Sequence, residues 1–393
     1  MKNIILSLLI INKIFLFSNN YKSVVISGDS MSTGFAFLNT IKYSKESKNL
    51  PAGILAWPNM IRDAIIRNDI NFKHATELAI STKYNTTKIQ KSWKNSQFPY
   101  ALPFNNKTAT IYEIKNNDEQ VSFNYSTKSM SDTIVLYFSK TPFPVGCKFD
   151  IFVNGKILKE EIDTSSLNND YFGFQVKKVI LKVYNNNTFN ILLTNFKSSS
   201  QKDSATLGFF FLGIGTNDTD IYLTGRTSSN TRFYVNNNYK ELYNRVINLK
   251  PDLLIFAIGS ADMAFNAAQV ENTPRGNVPL TEFKSNMISI IKEVKKKNDN
   301  IKIVIIGPSD FQGLDQQHIK DYNVSLSELS KEFHLDFLDV LSILKEHNEI
   351  GEVLLVDYVH FNNKGHTIIA NKIINLLYEE VLYNDLIDSE IYF

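Results

Sequence analysis

The sequence predicts an α/β protein: a parallel sheet covered by helices on both sides, interrupted by an inserted β-sandwich. Three observations carry this. Apolar runs at Ser23–Ser27, Leu253–Ile258 and Ile301–Ile306 have the unbroken hydrophobicity of strands buried on both faces. Segments with helical spacing alternate with them. Between residues 74 and 217 the texture changes to short strands and turns.

The elements follow in order. Ser23–Ser27 leads into Gly28-Asp29-Ser30, and Trp57–Ile70 has Met60, Ile61, Ala64 and Ile65 on one helical face. Pro58 suits the first turn, where a missing N–H costs nothing. In the middle region, strands are expected at Thr108–Ile114, Val121–Thr127, Thr133–Ser139, Lys148–Val153, Lys156–Leu158, Phe172–Tyr184, Phe189–Asn195 and Leu207–Ile214. Asn154-Gly155 predicts a tight hairpin, because both residues tolerate the positive φ of a type I′ turn. Asn185-Asn186-Asn187 predicts a further connector. Alternation then resumes. Asp220–Leu223 and Leu253–Ile258 read as strands, and Thr281 is positioned to cap a helix with Phe283, Met287, Ile291 and Val294 on one stripe. After Ile301–Ile306 come a helix from about Asp315 to Phe333, a short strand at Phe337–Val340 and a last helix at about Lys364–Leu382. The domain organisation expected is a discontinuous α/β domain, 21–73 and 218–393, around an insertion at 74–217.

Composition bounds the function. The 393 residues allow two or three domains. With 42 Lys+Arg against 40 Asp+Glu, the net charge of +2 argues against a nucleic-acid binder. A hydrophobic fraction of 43% is enough for real cores. The one cysteine, Cys147, excludes an intrachain disulfide framework and a Cys-rich zinc site. It follows Pro142-Phe143-Pro144-Val145-Gly146 with no histidine nearby, and reads as a structural residue. The start of the chain has Lys2, an apolar run at Ile4–Ile11, an interruption at Asn12-Lys13 and more apolar residues at Ile14–Phe17. This predicts a signal or export segment at 1–20, with an extra strand or a disordered start as the alternative. A periplasmic or secreted protein with no integral membrane domain in the mature chain is expected, a cytoplasmic one being the alternative.

Four strand ends carry chemistry, as is usual at the carboxyl edge of a parallel sheet. Gly28-Asp29-Ser30 presents a serine after a residue that can turn sharply; the plain alternative is a strand-to-helix turn capped by Ser30. Asp357-Tyr358-Val359-His360 places a carboxylate and an imidazole on one short segment. A serine needs such a base to become nucleophilic, and the base needs a carboxylate to fix its tautomer. His74, His318, His334 and His347 have no comparable setting, and His366, after Gly365, suits packing or hydrogen bonding. Thr224-Gly225-Arg226 could aim a backbone N–H at an oxyanion. Ile258-Gly259-Ser260-Ala261-Asp262 ends a third strand with a glycine and polar followers.

Together these blocks resemble the SGNH/GDSL hydrolase superfamily, over about 22–73 and 218–382. The resemblance implies a three-layer α/β/α fold with a flavodoxin-like parallel sheet and no cofactor or metal. It makes Ser30 the nucleophile, His360 the general base and Asp357 its orienting acid. It gives the N–H groups of Ser30 and Gly225 to the oxyanion hole. One position departs: where the family supplies an asparagine side chain, this chain has Ala261. Asn266 is a possible substitute if its loop curls back. The inserted sandwich and Ala264-Phe265-Asn266 resemble bacterial peptidoglycan O-acetylesterases, whose insert is similar to carbohydrate-binding modules. That implies a serine esterase acting on an O-acetylated glycan, with Tyr100, Tyr112, Phe123 and Tyr125 either facing sugar or filling the sandwich core. The alternatives are a weakened glycan-binding relative and an O-acetyltransferase using the same triad.

Overall fold

The computed structural model describes residues 21–32, 56–82, 88–89, 110–114, 118–140, 147–164, 175–198, 207–226, 228–263, 278–310, 316–351, 354–355 and 359–378. The expected export segment, Asp357 and Asn266 lie outside the described residues. The strands are β1 (Ser23–Gly28), β2 (Lys73–His74), β3 (Ser81–Thr82), β4 (Lys88–Ile89), β5 (Thr110–Ile114), β6 (Val121–Lys140) and β7 (Cys147–Val153). They continue with β8 (Lys156–Asp163), β9 (Gln175–Ser198), β10 (Leu207–Gly215), β11 (Asp220–Leu223), β12 (Leu253–Ala257), β13 (Lys302–Ile306) and β14 (Asp336–Leu338). The helices are α1 (Trp57–Arg67), α2 (Thr231–Arg245), α3 (Ser260–Met263), α4 (Leu280–Lys297), α5 (Gln316–Phe333), α6 (Val340–Glu349) and α7 (Asn363–Tyr378). By its contacts the chain divides into two compact units. One comprises 1–29, 219–352 and 368–393, the other 30–218 and 353–367.

The first unit holds a parallel sheet of five strands in the order β11-β1-β12-β13-β14. In register, Val25 lies beside Leu254 and Leu254 beside Ile303, so these side chains share one face of the pleat. That face packs against Phe233 and Leu242 of α2, Met287 and Ile291 of α4, and Ile319 and Leu326 of α5. The alternate residues Val24, Ile26, Ile255 and Val304 are fully buried too. Burial on both faces is why these strands lack polar alternation in sequence. α4 begins one residue earlier than Thr281, at Leu280, with Pro279 at the cap position and no side-chain cap bond. Thr281 therefore lies inside the first turn, and a proline that cannot continue a helix backwards sets the boundary instead.

The second unit holds a nine-stranded antiparallel sheet with the main order β4-β5-β10-β6-β9-β7-β8. The Asn154-Gly155 turn joins β7 to β8, with φ of 51° and 78° at the two residues. β6 and β9 each run through segments expected to be turns. Their pairing shifts register between Ser126 and Ser131 and again by Thr133, opposite Asn186 and Lys182. Bulges absorb the extra residues without breaking the pair, so the Asn-rich segment bends a strand rather than ending it. The core members of β6 change parity across this break, from Val121, Phe123 and Tyr125 to Ile134, Leu136 and Phe138. Phe123 and Tyr125 are buried in this core, which removes them as sugar-facing residues. Tyr100 and the side chain of Tyr112 lie outside the described residues. Cys147 is also buried there, and burial pushes its thiol up to about 12. Among the described residues, no helix is long and apolar enough to cross a membrane.

Candidate active site

In the first unit the site begins at the end of β1. Gly28 has φ +130°, and a Cβ there would stand 1.8 Å from the Ala257 carbonyl oxygen. Only glycine lets β1 approach β12 so closely at this point. Asp29 follows. Its N–H donates to Ala257 O at 2.9 Å, and its Oδ2 accepts from the N–H groups of Ser260 (3.1 Å) and Ala261 (3.4 Å). The acid of Gly-Asp-Ser is therefore a lock: it ties the end of β1 to the start of α3, satisfying amides that a helix leaves open. The Ala261 N–H faces this carboxylate, and its methyl side chain has no proton to donate.

The Gly225 loop is fixed to the same strand end. Thr224 N–H donates to Ile26 O at 2.8 Å and Arg226 N–H to Gly28 O at 3.0 Å, so Gly225 sits between two engaged amides. Ser229 Oγ donates to Arg226 O at 2.8 Å and lies 2.9 Å from Gly28 O. Tyr234, wholly buried, accepts from Gly28 N–H at 3.1 Å and donates to Gly28 O at 2.9 Å. Asp262 is buried and bonded to the start of α2. Its Oδ1 accepts from Thr231 N–H at 2.9 Å and Thr231 Oγ1 at 2.6 Å. Burial pushes its carboxyl up to about 7, against the opposing pull of the Thr231 hydrogen bonds.

In the second unit Ser30 opens a short 3-10 turn, Ser30–Ser32, and is half-buried while Met31 and Ser32 are buried. His360, also half-buried, precedes Phe361, which bridges back to Leu355. Asn362 then caps α7: its Oδ1 accepts from Gly365 N–H at 2.8 Å, and its carbonyl from His366 N–H at 2.9 Å. Both segments reach one residue. Trp57 Nε1 donates to Met31 O at 2.8 Å, and Trp57 N–H donates to His366 Nδ1 at 3.3 Å.

The sequence-predicted residues are thus distributed as follows. Ser30 and His360 fall in one compact unit, their neighbours sharing Trp57. Gly225 and Ala261 fall in the other, on loops locked to β1. His366 has the buried hydrogen-bonding place expected of it. Sequence reasoning missed Asp29, Tyr234, Asp262 and Trp57. For the two acids a signal existed: a carboxylate set among apolar residues at a strand end must find donors when buried. Tyr234 and Trp57 offer no such sign.

Residues 212–368 match the family model of the GDSL-like lipase/acylhydrolases. The matched stretch contains Gly225, Ala261 and His360, and does not include Ser30. No curated protein sequence matches the chain. Among solved structures, a peptidoglycan O-acetylesterase is similar at 11% identity over 92% of this chain and 93% of its own, with a TM-score of 0.39. A lipase/acylhydrolase from Enterococcus faecalis is similar at 18% identity over 41% of this chain and 76% of its own, TM-score 0.34. A catalytic mutant of an acetylxylan esterase from Geobacillus stearothermophilus is similar at 19% identity over 41% and 74%, TM-score 0.35.

Proposed function

We propose that the protein is a serine esterase that removes O-acetyl groups from a glycan, peptidoglycan being the first candidate. The observation that carries this reading is the shared anchor at Trp57. It gathers the turn of Ser30 and the segment of His360 into one unit although they lie at opposite ends of the chain. The GDSL-like match over 212–368 supports the reaction class.

In this reading Ser30 Oγ attacks the acetyl carbonyl while His360 takes its proton, with Asp357 orienting the imidazole. The N–H groups of Ser30 and Gly225 hold the oxyanion. His360 then protonates the leaving sugar oxygen, and water clears the acetyl-enzyme. The antiparallel region serves as an inserted carbohydrate-binding module, and an export segment at 1–20 carries the protein to such a substrate. The test is hydrolysis of p-nitrophenyl acetate by wild type, Ser30→Ala and His360→Ala, followed by acetate release from O-acetylated peptidoglycan against acetylated xylan. Hydrolysis abolished by both substitutions supports the assignment; a rate independent of Ser30 overturns it.

Ala261 favours a second reading, a glycan-binding relative with little turnover. Losing one oxyanion donor costs about 10²–10³ in kcat. Ala261→Asn separates the readings, since a weakened enzyme gains rate and a binder without a working triad does not.

A further inference from the structure

We infer that Trp57 is a positioning residue for the Ser30–His360 pair, setting both segments through two separate hydrogen bonds. The inference rests on the proposed esterase reading.

The argument starts at the helix end. The first N–H groups of a helix have no partner within it. At α1, Ala56 provides no side-chain cap. The acceptor for Trp57 N–H comes instead from His366 Nδ1, 309 residues away. An imidazole that accepts at Nδ1 is neutral, with its proton on Nε2. This bond therefore fixes both the tautomer and the ring plane of His366. The His366 ring stands edge-on to Phe361 at 5.5 Å, and Phe361 is the covalent neighbour of His360. At its other end Trp57 presents the indole N–H to Met31 O, and Met31 is the covalent neighbour of Ser30. Trp57, His366 and Phe361 are all buried, so water cannot readily replace these contacts. Trp57 thus reaches both segments, its indole N–H to Met31 O and its main-chain N–H, through the His366 ring, to Phe361; Met31 and Phe361 are each one residue from a reacting group. A misplacement of about 1 Å at such a pair costs about 10²-fold.

The test uses the full chain and p-nitrophenyl acetate. Trp57→Phe keeps the aromatic bulk and the main-chain donor but removes the indole N–H. Its kcat is expected to fall about 10- to 100-fold with KM nearly unchanged, since no contact to substrate is removed. His366→Leu is expected to do the same. His366→Asn restores an acceptor oxygen near the Nδ1 position and should recover most of the rate. Circular dichroism and thermal melts confirm that each variant is folded. If Trp57→Phe does not fold, the His366 pair carries the test. Wild-type kcat in folded Trp57→Phe or His366→Leu overturns the inference, as do equal losses in His366→Leu and His366→Asn. A wild-type protein with no Ser30-dependent rate instead overturns the esterase reading, and the inference falls with it.

Discussion

Tyr234→Phe removes a single oxygen, and the structure dictates what that costs. Consecutive strand amides face opposite neighbours. Asp29 N–H is given to Ala257 O on the β12 side, so Gly28 N–H faces the β11 side. β11 has already ended there, at Leu223. The Tyr234 hydroxyl stands in for the missing strand, accepting from Gly28 N–H at 3.1 Å. Gly28 O also loses a donor in the variant, but it keeps Arg226 N–H at 3.0 Å. The main loss is therefore one buried N–H without an acceptor, beside the longer 3.3 Å contact of Ser27 Oγ, about 1–3 kcal/mol. For a unit of this size that lowers the melting temperature by roughly 2–12 °C. Urea unfolding followed by circular dichroism measures it. Ser27→Ala is the control, because Ser27 Oγ lies at a longer 3.3 Å from the same hydroxyl and should cost less. A Tyr234→Phe stability within about 0.3 kcal/mol of wild type would mean that Gly28 N–H has another acceptor, and the account of this strand end would be wrong.

Three further outcomes are expected. Gly28→Ala places a methyl 1.8 Å from Ala257 O at φ +130° and should cost about 2–6 kcal/mol. Gly155→Ala, at φ +78° with open space around it, should cost only about 1–2 kcal/mol; comparable losses in urea titrations would refute the steric argument. Asp262 gives a pH dependence of defined sign. Its carboxyl is raised from 3.8 to about 7 in the folded state, so between those values the folded state holds more protons than the unfolded. Its contribution to stability therefore falls as pH rises through that window. Asp262→Asn keeps an oxygen for Thr231 and should flatten the fall between about pH 4.5 and about pH 7.5; an identical slope would place the titration elsewhere.

Local patterns carried the sequence reading, and long-range contacts limited it. β1, β12 and β13 are legible because burial on both faces leaves an apolar run. The β7–β8 hairpin is legible because its turn needs two residues that accept positive φ. α2 was not legible. It is broken at Asn236–Tyr239, where Asn237, Asn238 and Tyr239 take φ of 51°, 54° and 61°, and the break erases its periodicity. α6 escaped notice although Asp339 caps it, accepting from Ser342 N–H at 3.0 Å, because the helix is only ten residues long. The bulges of β6 and β9 look like turns since the same polar residues serve both. At the candidate site, Ser30, Gly225 and His360 stood out as short motifs. Their supports did not: Asp29 reaches Ser260, Tyr234 reaches Gly28, and Trp57 reaches His366, each across more than two hundred residues.

The edge of the parallel sheet has a consequence for biosynthesis. Ile26 pairs with Leu223, so β1 leaves the ribosome about 200 residues before its outer neighbour exists. At ordinary translation speeds that is a wait of roughly 10–40 s. Loop-closure entropy adds little, since each doubling of loop length costs only about 0.6 kcal/mol. Delay, rather than equilibrium, is thus the burden the long excursion imposes. Throughout it, the nascent strand carrying Val24, Val25 and Ile26 has neither β11 nor β12 to pair with, which marks the half-made chain as a natural client for chaperones.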